Sequence, residues 1–261
     1  EVRLSILTNT WFSGMKLSLA QAARLLYAWC MRASHANAAE IADVPETTVE
    51  GWYGYLRCRC SKQLLSDQFY IGGVGHIVEI DETSLKKKSK HNRGRHFPEY
   101  WLVGGVDRSS GQWFGRIVDT DRIQKKLFPV VRKFINPGYF RVATLYSDMY
   151  ATYVTERKPK RGVLIRTLTN HPSLQDLNYT HKYVNHTEHY VDPETGTHTN
   201  TIEGLWEIDI KRLIKVMQGM TKSALDGYLV EYMWHSWYFP REATTAQVMC
   251  GLVQLINRQG A

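Results

Sequence analysis

Cysteine is scarce in this chain and never paired. Its 261 residues include four cysteines, Cys30, Cys58, Cys60 and Cys250. None stands in C-x-x-C spacing, which excludes a zinc ribbon built on cysteine pairs and leaves Cys58 and Cys60 as plain thiols. No secretory signal precedes them, so a reducing compartment is expected. No apolar run approaches the ~18 to 20 residues needed to span a bilayer, and no membrane partner is expected. Internal repeats and low-complexity tails are also absent. The chain begins at Glu1 rather than at Met, as a fragment or a processed chain would.

What remains is the composition of a folded protein with a basic surface. Hydrophobic residues make up 43% and charged residues 22%, with a net charge of +8. That balance favours a polyanionic partner, of which nucleic acid is the commonest.

Three regions separate along the chain. Residues 1–66 read as helical. In "LSLAQAARLLYAWCMRA" the residues Leu19, Ala22, Ala23, Leu26 and Trp29 or Cys30 recur on one helical face. A short helix over Ala38 to Ala42 then meets a turn at Asp43 and Val44. Pro45 takes a first-turn position in the next helix, along which lie Thr47, Thr48, Val49 and Trp52. Short helix, tight turn and a Thr-rich second helix make a helix-turn-helix pattern. It predicts DNA contacts from Thr47, Thr48 and Arg57, with Glu50 and Tyr53 as further groove or backbone contacts.

From about residue 74 the period changes to that of strands. "HIVEIDETSL" alternates, "EYWLVGGVDRSSGQWFGRIVDT" reads as a hairpin, "DRIQKKLFPVVRKFI" as an amphipathic helix, and "YFRVATLYSD" as another strand. This order predicts an α/β domain over residues 67–221, a mixed sheet flanked by helices. Residues 222–261 read as two further helices that pack on the core or on a partner subunit. Their aromatics, Tyr228, Tyr232, Trp234, Trp237 and Tyr238, are expected in a core.

Three acids stand at informative places. Asp81 is read as ending the first strand, Asp148 as ending the fourth, and Glu203 lies in the first turns of a helix. Sites in open sheets form at the carboxyl ends of strands. Three converging carboxylates repel one another, and a divalent cation relieves that repulsion. Oxygen ligands suit Mg²⁺, with Mn²⁺ as a substitute. Glu79 and Glu82 are expected to point away from Asp81 or across the sheet. Asp107, Asp119 and Asp121 are read as turn and cap residues. The run "KKKSKHNRGRH", Lys86 to His96, has the composition of a phosphate-gripping loop through Lys88, Lys90, Arg93 and Arg95, or of a nuclear localisation signal. His186 and His189 have ligand-like spacing, but without cysteine partners no structural zinc is expected.

The segments "VEIDET", "KSKHNRGR", "WLVGGVDRSSGQWFGRIVDTDR", "YSDMYATY" and "VNHTEHYVDPETGTHTNTIEGLWEIDIKR" closely resemble the Merlin transposases and related bacterial insertion-sequence transposases. The resemblance implies a ribonuclease H-like catalytic fold and Mg²⁺-dependent cutting and joining of DNA at transposon ends. It implies that Asp81, Asp148 and Glu203 are the catalytic, metal-binding acids, and that Lys211 is the basic residue following the glutamate. Asn200, one helical step before Glu203, is expected to face the same site. Trp206 is expected to anchor the helix to the sheet. His198 and Thr199 are expected to orient an acid or touch the DNA strand. Expected partners are double-stranded DNA, at transposon ends and target, and a second copy of the chain, as a homodimer on DNA. The expected location is the nucleus in a eukaryotic host and the cytoplasm otherwise. Two other classes fit part of this pattern: a catalytically silent DNA-binding protein derived from a transposase, and a ribonuclease H-like nuclease acting on RNA or Holliday junctions.

Overall fold

The computed structural model describes residues 10–66, 69–85, 100–118, 124–136, 143–157, 163–216 and 222–259. The basic run with Lys88, Lys90, Arg93 and Arg95, and also Asp119 and Asp121, lie outside the described residues. The chain divides into two compact units, one of residues 1–68 with 223–261 and one of residues 69–222. The carboxy-terminal helices therefore fold with the amino-terminal ones, closing one helical unit from both ends of the chain.

That helical unit contains α1 (Leu19–Cys30), α2 (His35–Ala42), α3 (Glu46–Ser66), α7 (Lys222–Tyr238) and α8 (Thr245–Gln259). Ser18 caps α1 in a reciprocal capping box with Gln21. The buried face of α1 carries Ala22, Leu25, Leu26 and Trp29, while Leu19 is 46% exposed. Leu19 is the first helical residue, one turn ahead of that stripe, and so escapes burial. The α2–α3 turn has no glycine. Asp43 takes the left-handed conformation at φ 54°, which Asp tolerates better than most residues. Pro45 sits just before α3 rather than in its first turn, because its carbonyl accepts the Val49 amide at 3.3 Å. Tyr228, Tyr232 and Trp234 are buried in this unit as expected.

The second unit is a five-stranded mixed sheet. Its strands are β1 (Ile77–Ser84), β2 (Trp101–Asp107), β3 (Trp113–Val118), β4 (Thr144–Asp148) and β7 (Thr180–Val184), in the order β3-β2-β1-β4-β7. β3, β2 and β1 pair antiparallel, whereas β1, β4 and β7 run parallel. A separate hairpin pairs β5 (Thr155–Arg157) with β6 (Leu164–Arg166).

Helices lie on both faces of this sheet. On one face α4 (Gln124–Phe134) stacks Phe134 on Phe114 with ring centroids 4.9 Å apart. On the other lies α5 (Asn200–Gly204), which continues as a π-helical segment over Leu205–Lys211 and then as α6 (Arg212–Val216). The anchor of this second face is Trp206, as expected. Its ring is buried over Gly104, where a methyl group would come within 2.6 Å of it. Only glycine lets the ring settle onto the strand there.

Candidate active site

β1 does not end at Asp81 but runs on to Ser84. What ends near Asp81 is its parallel pairing with β4. That pairing joins Ile77 to Thr144, Val78 to Leu145 and Glu79 to Tyr146. The same offset sets Asp81 against Asp148, the last residue of β4. Adjacent strands lie ~4.8 Å apart, and residues level across a parallel pair face the same side. The two aspartates are thus neighbours on one face, at the carboxyl end of β4. This is the face that α5 covers, because Trp206 donates its indole N–H to Asp81 Oδ2 at 3.1 Å.

Glu79 departs from its expected placement. It lies two residues from Asp81, so the strand period puts both on the same face rather than opposite ones. It is fully buried and accepts the Ile202 amide at 2.9 Å, serving as a cap for α5 from a distant strand. Arg108 donates to its other oxygen at 2.5 Å. The same guanidinium reaches His198 Nδ1 and the His198 carbonyl, each at 2.9 Å, and stacks over Tyr146 at 4.8 Å. This network ties β1, the end of β2 and the residues before α5 together. His198 is thereby held to Arg108 and Glu79 and not to any of the three acids. Asp107 acts as the expected turn residue, accepting the Ser109 amide at 2.8 Å, and it also binds His76 at 2.6 Å.

Glu203 projects from α5 with its side chain half exposed. Thr199, buried beside it, donates its hydroxyl to Glu203 Oε1 at 2.6 Å. Because that hydroxyl proton is committed, His186 Nε2, 2.9 Å from Thr199 Oγ1, supplies an N–H to it. His186 Nε2 is also 3.5 Å from Glu203 Oε1. His186 was not among the expected site residues. Its sequence distance from Glu203 hides a link that only the returning loop creates.

Behind Asp148 lies a buried relay. The Leu168 amide donates to His181 Nδ1 at 3.2 Å, so His181 carries its proton on Nε2. That nitrogen meets Ser147 Oγ at 2.9 Å, and Ser147 donates to the Asp148 carbonyl at 2.6 Å. Burial pushes His181 down to about 3, which keeps it neutral in this role. On the other face of β1, Tyr153 donates to Glu82 at 2.5 Å.

Electrostatics show that the acids sense one another. Burial pushes the Asp81 carboxyl up to about 8, and Glu82, Asp148 and Glu203 push in the same direction. Among the described residues, however, no three His, Cys, Asp or Glu side chains stand close enough to share one ion. Asp81, Asp148 and Glu203 are neighbours rather than a gathered ligand set.

The remaining expected residues scatter. Asn200 is exposed at the first position of α5. Lys211 closes the π-helical segment and donates to Glu207 at 2.5 Å. In the helical unit Thr47 is exposed and Thr48 half-buried, both at the start of α3. Tyr53 is buried, and Arg57 turns inward. Arg57 pairs with the buried Glu231 at 3.0 Å and lies 3.9 Å over the Tyr228 ring, so neither Tyr53 nor Arg57 is presented to a groove.

No family model and no curated protein matches the chain. Among solved structures, a chain of the simian T-cell lymphotropic virus intasome in complex with PP2A regulatory subunit B56 gamma is similar at 12% identity and a TM-score of 0.35. The alignment covers 69% of this chain and 62% of that one.

Proposed function

We propose that the protein is a DNA transposase with a ribonuclease H-like catalytic unit, as its resemblance to the Merlin transposases implies. The observation that supports this best is the strand register that sets Asp81 beside Asp148, with Glu203 on the helix covering the same face. The donor set is all carboxylate oxygen, which fits Mg²⁺ or Mn²⁺. When bound, such an ion would favour a nucleophilic oxygen at neutral pH and stabilise the departing one.

The chain's own residues do the rest. Trp206 fixes one oxygen of Asp81, and the His181–Ser147 relay fixes the backbone of Asp148. Thr199 and His186 hold Glu203, while Glu79 and Arg108 hold the start of its helix. In the proposed reaction a water oxygen bonds to phosphorus and the 3′ oxygen leaves, taking up a proton as a 3′ hydroxyl. That hydroxyl then attacks a target phosphodiester, displacing its 3′ oxygen in turn.

The α2–α3 pair is proposed as the DNA-reading helix-turn-helix, with Thr47 and Thr48 at the start of the recognition helix. Two ends joined to one target require two active sites, so the working form is a dimer on DNA.

The alternative is a catalytically silent DNA-binding protein derived from a transposase. Incubation with a supercoiled plasmid carrying the inverted repeats that flank the coding sequence, with Mg²⁺ or Mn²⁺, separates the two. Nicked or linear product supports the transposase. Binding without product under either cation would establish the silent form.

A further inference from the structure

The loop between β7 and α5 holds a large side chain out into solvent. Tyr190 is 84% exposed, and Val191 beside it is also exposed. A single exposed aromatic is ordinary; one held out by a braced loop that frames a reactive carboxylate is not. Before Tyr190, the Asn185 side chain accepts from the Thr187 amide at 3.1 Å and its hydroxyl at 2.7 Å. The Asn185 carbonyl takes the Glu188 and His189 amides at 3.0 and 2.9 Å. After Tyr190, Asp192 Oδ1 accepts from the Thr195 amide at 2.7 Å and its hydroxyl at 2.6 Å. The Asp192 backbone bonds to Thr197 and Gly196, each at 2.9 Å. Tyr190 stands between these two braced turns.

Both ends of the loop return to Glu203. His186 at its start and Thr199 at its end are the two residues that meet that carboxylate. Tyr190 is four positions from His186, so its Cα stays within roughly 15 Å of the His186 Cα, beside the glutamate. The loop also carries Glu188, Asp192 and Glu194, which makes it a poor grip for phosphate. An uncharged base face suits it better. In a duplex the base faces are covered by their neighbours, and only an unpaired or terminal base offers one.

We infer that Tyr190 is a stacking platform for an unpaired nucleobase at the end of the DNA substrate, beside the cleavage site. This inference rests on the DNA strand-cleaving function proposed above. A rigid aromatic gives sequence-tolerant stacking and little ordering cost.

The test uses the full chain and two probes, a duplex with a three-nucleotide overhang bearing 2-aminopurine and the same duplex with blunt ends. The wild type, Tyr190→Phe and Tyr190→Ala proteins are compared by affinity and by 2-aminopurine fluorescence. Because Tyr190 is exposed, all three should fold alike, and matching melting curves verify this. Tyr190→Ala should lose about 10- to 100-fold in overhang affinity along with the fluorescence quench. Tyr190→Phe should keep both, and blunt-duplex affinity should not change. Three results would overturn the inference: no loss in Tyr190→Ala, an equal loss in Tyr190→Phe, or the same loss on the blunt duplex. If the wild type binds and nicks DNA while any of these holds, only the inference fails. A wild type that neither binds nor nicks DNA removes the functional reading and this inference with it.

Discussion

Removing Arg57 should cost stability rather than DNA affinity. Its Nε lies 3.0 Å from Glu231 Oε2, with side chains only 14% and 5% exposed. The guanidinium also covers the Tyr228 ring at 3.9 Å. Truncating one member of a buried pair leaves the other charge without compensation and costs about 3–5 kcal/mol. Arg57→Met keeps most of the apolar stem, so a loss near ~3 kcal/mol is expected. Burial already raises the Glu231 carboxyl above its ordinary 4.5, against the pull of Arg57 and Arg32. Without Arg57 it rises further, and the folded state then holds a proton that the unfolded chain releases. The variant's deficit should therefore be largest at neutral pH and shrink as pH falls toward 4.5. Urea unfolding followed by tryptophan fluorescence, at pH 5 and pH 7.5, measures this. Arg57→Met/Glu231→Leu should recover most of the loss, because an apolar pair of similar volume replaces the ionic one. An Arg57→Met protein as stable as the wild type at pH 7.5, but weaker on DNA, would refute the reasoning and restore Arg57 as a groove contact.

Three further outcomes follow from the site. Asp81 is raised from 3.8 to about 8 in the folded protein, so its own contribution to the stability of the metal-free protein is fully present below about pH 4 and is lost as pH climbs to about 8; the stability difference between wild type and Asp81→Asn in thermal melts should shift against the wild type across that range, and a pH-independent difference would contradict the burial of this carboxyl. Thr199→Val removes the hydroxyl that holds Glu203 and should lower the nicking rate about 10-fold or more with little change in DNA affinity, whereas a full rate would show that Glu203 needs no such support. Mass measurement with an end-containing duplex should give two chains per complex, and a one-chain, one-duplex complex that completes strand transfer would rule out the dimer.

Much of the site was legible one residue at a time. Alternation around "HIVEIDETSL" and "YFRVATLYSD" located Asp81 and Asp148 on strands, but only the register of β1 on β4 makes them neighbours. Glu79 lies two residues from Asp81, and that spacing keeps both on one face instead of setting Glu79 away from the site. Arg57 and Tyr53 looked like groove contacts because local sequence does not say which face of α3 meets Glu231, a residue far along the chain. β5, β6 and β7 are three to five residues long and rich in polar side chains, too short for a period to declare itself. The role of His186 depends on a loop folding back onto α5, and the π-helical turn after Glu203 has no signature in residue spacing. Trp206 was legible as an anchor, yet its bond to Asp81 was not.

Asp81, Asp148 and Glu203 are proposed to form one cation-dependent active site. The most direct measurement is strand cleavage of end-containing DNA by Asp81→Asn, Asp148→Asn and Glu203→Gln, each with Mg²⁺ and with Mn²⁺, beside a mobility-shift assay of the same proteins. Each substitution should abolish cleavage while leaving DNA binding intact. Cleavage at the wild-type rate by any one of them, Asp148→Asn above all, would contradict the claim.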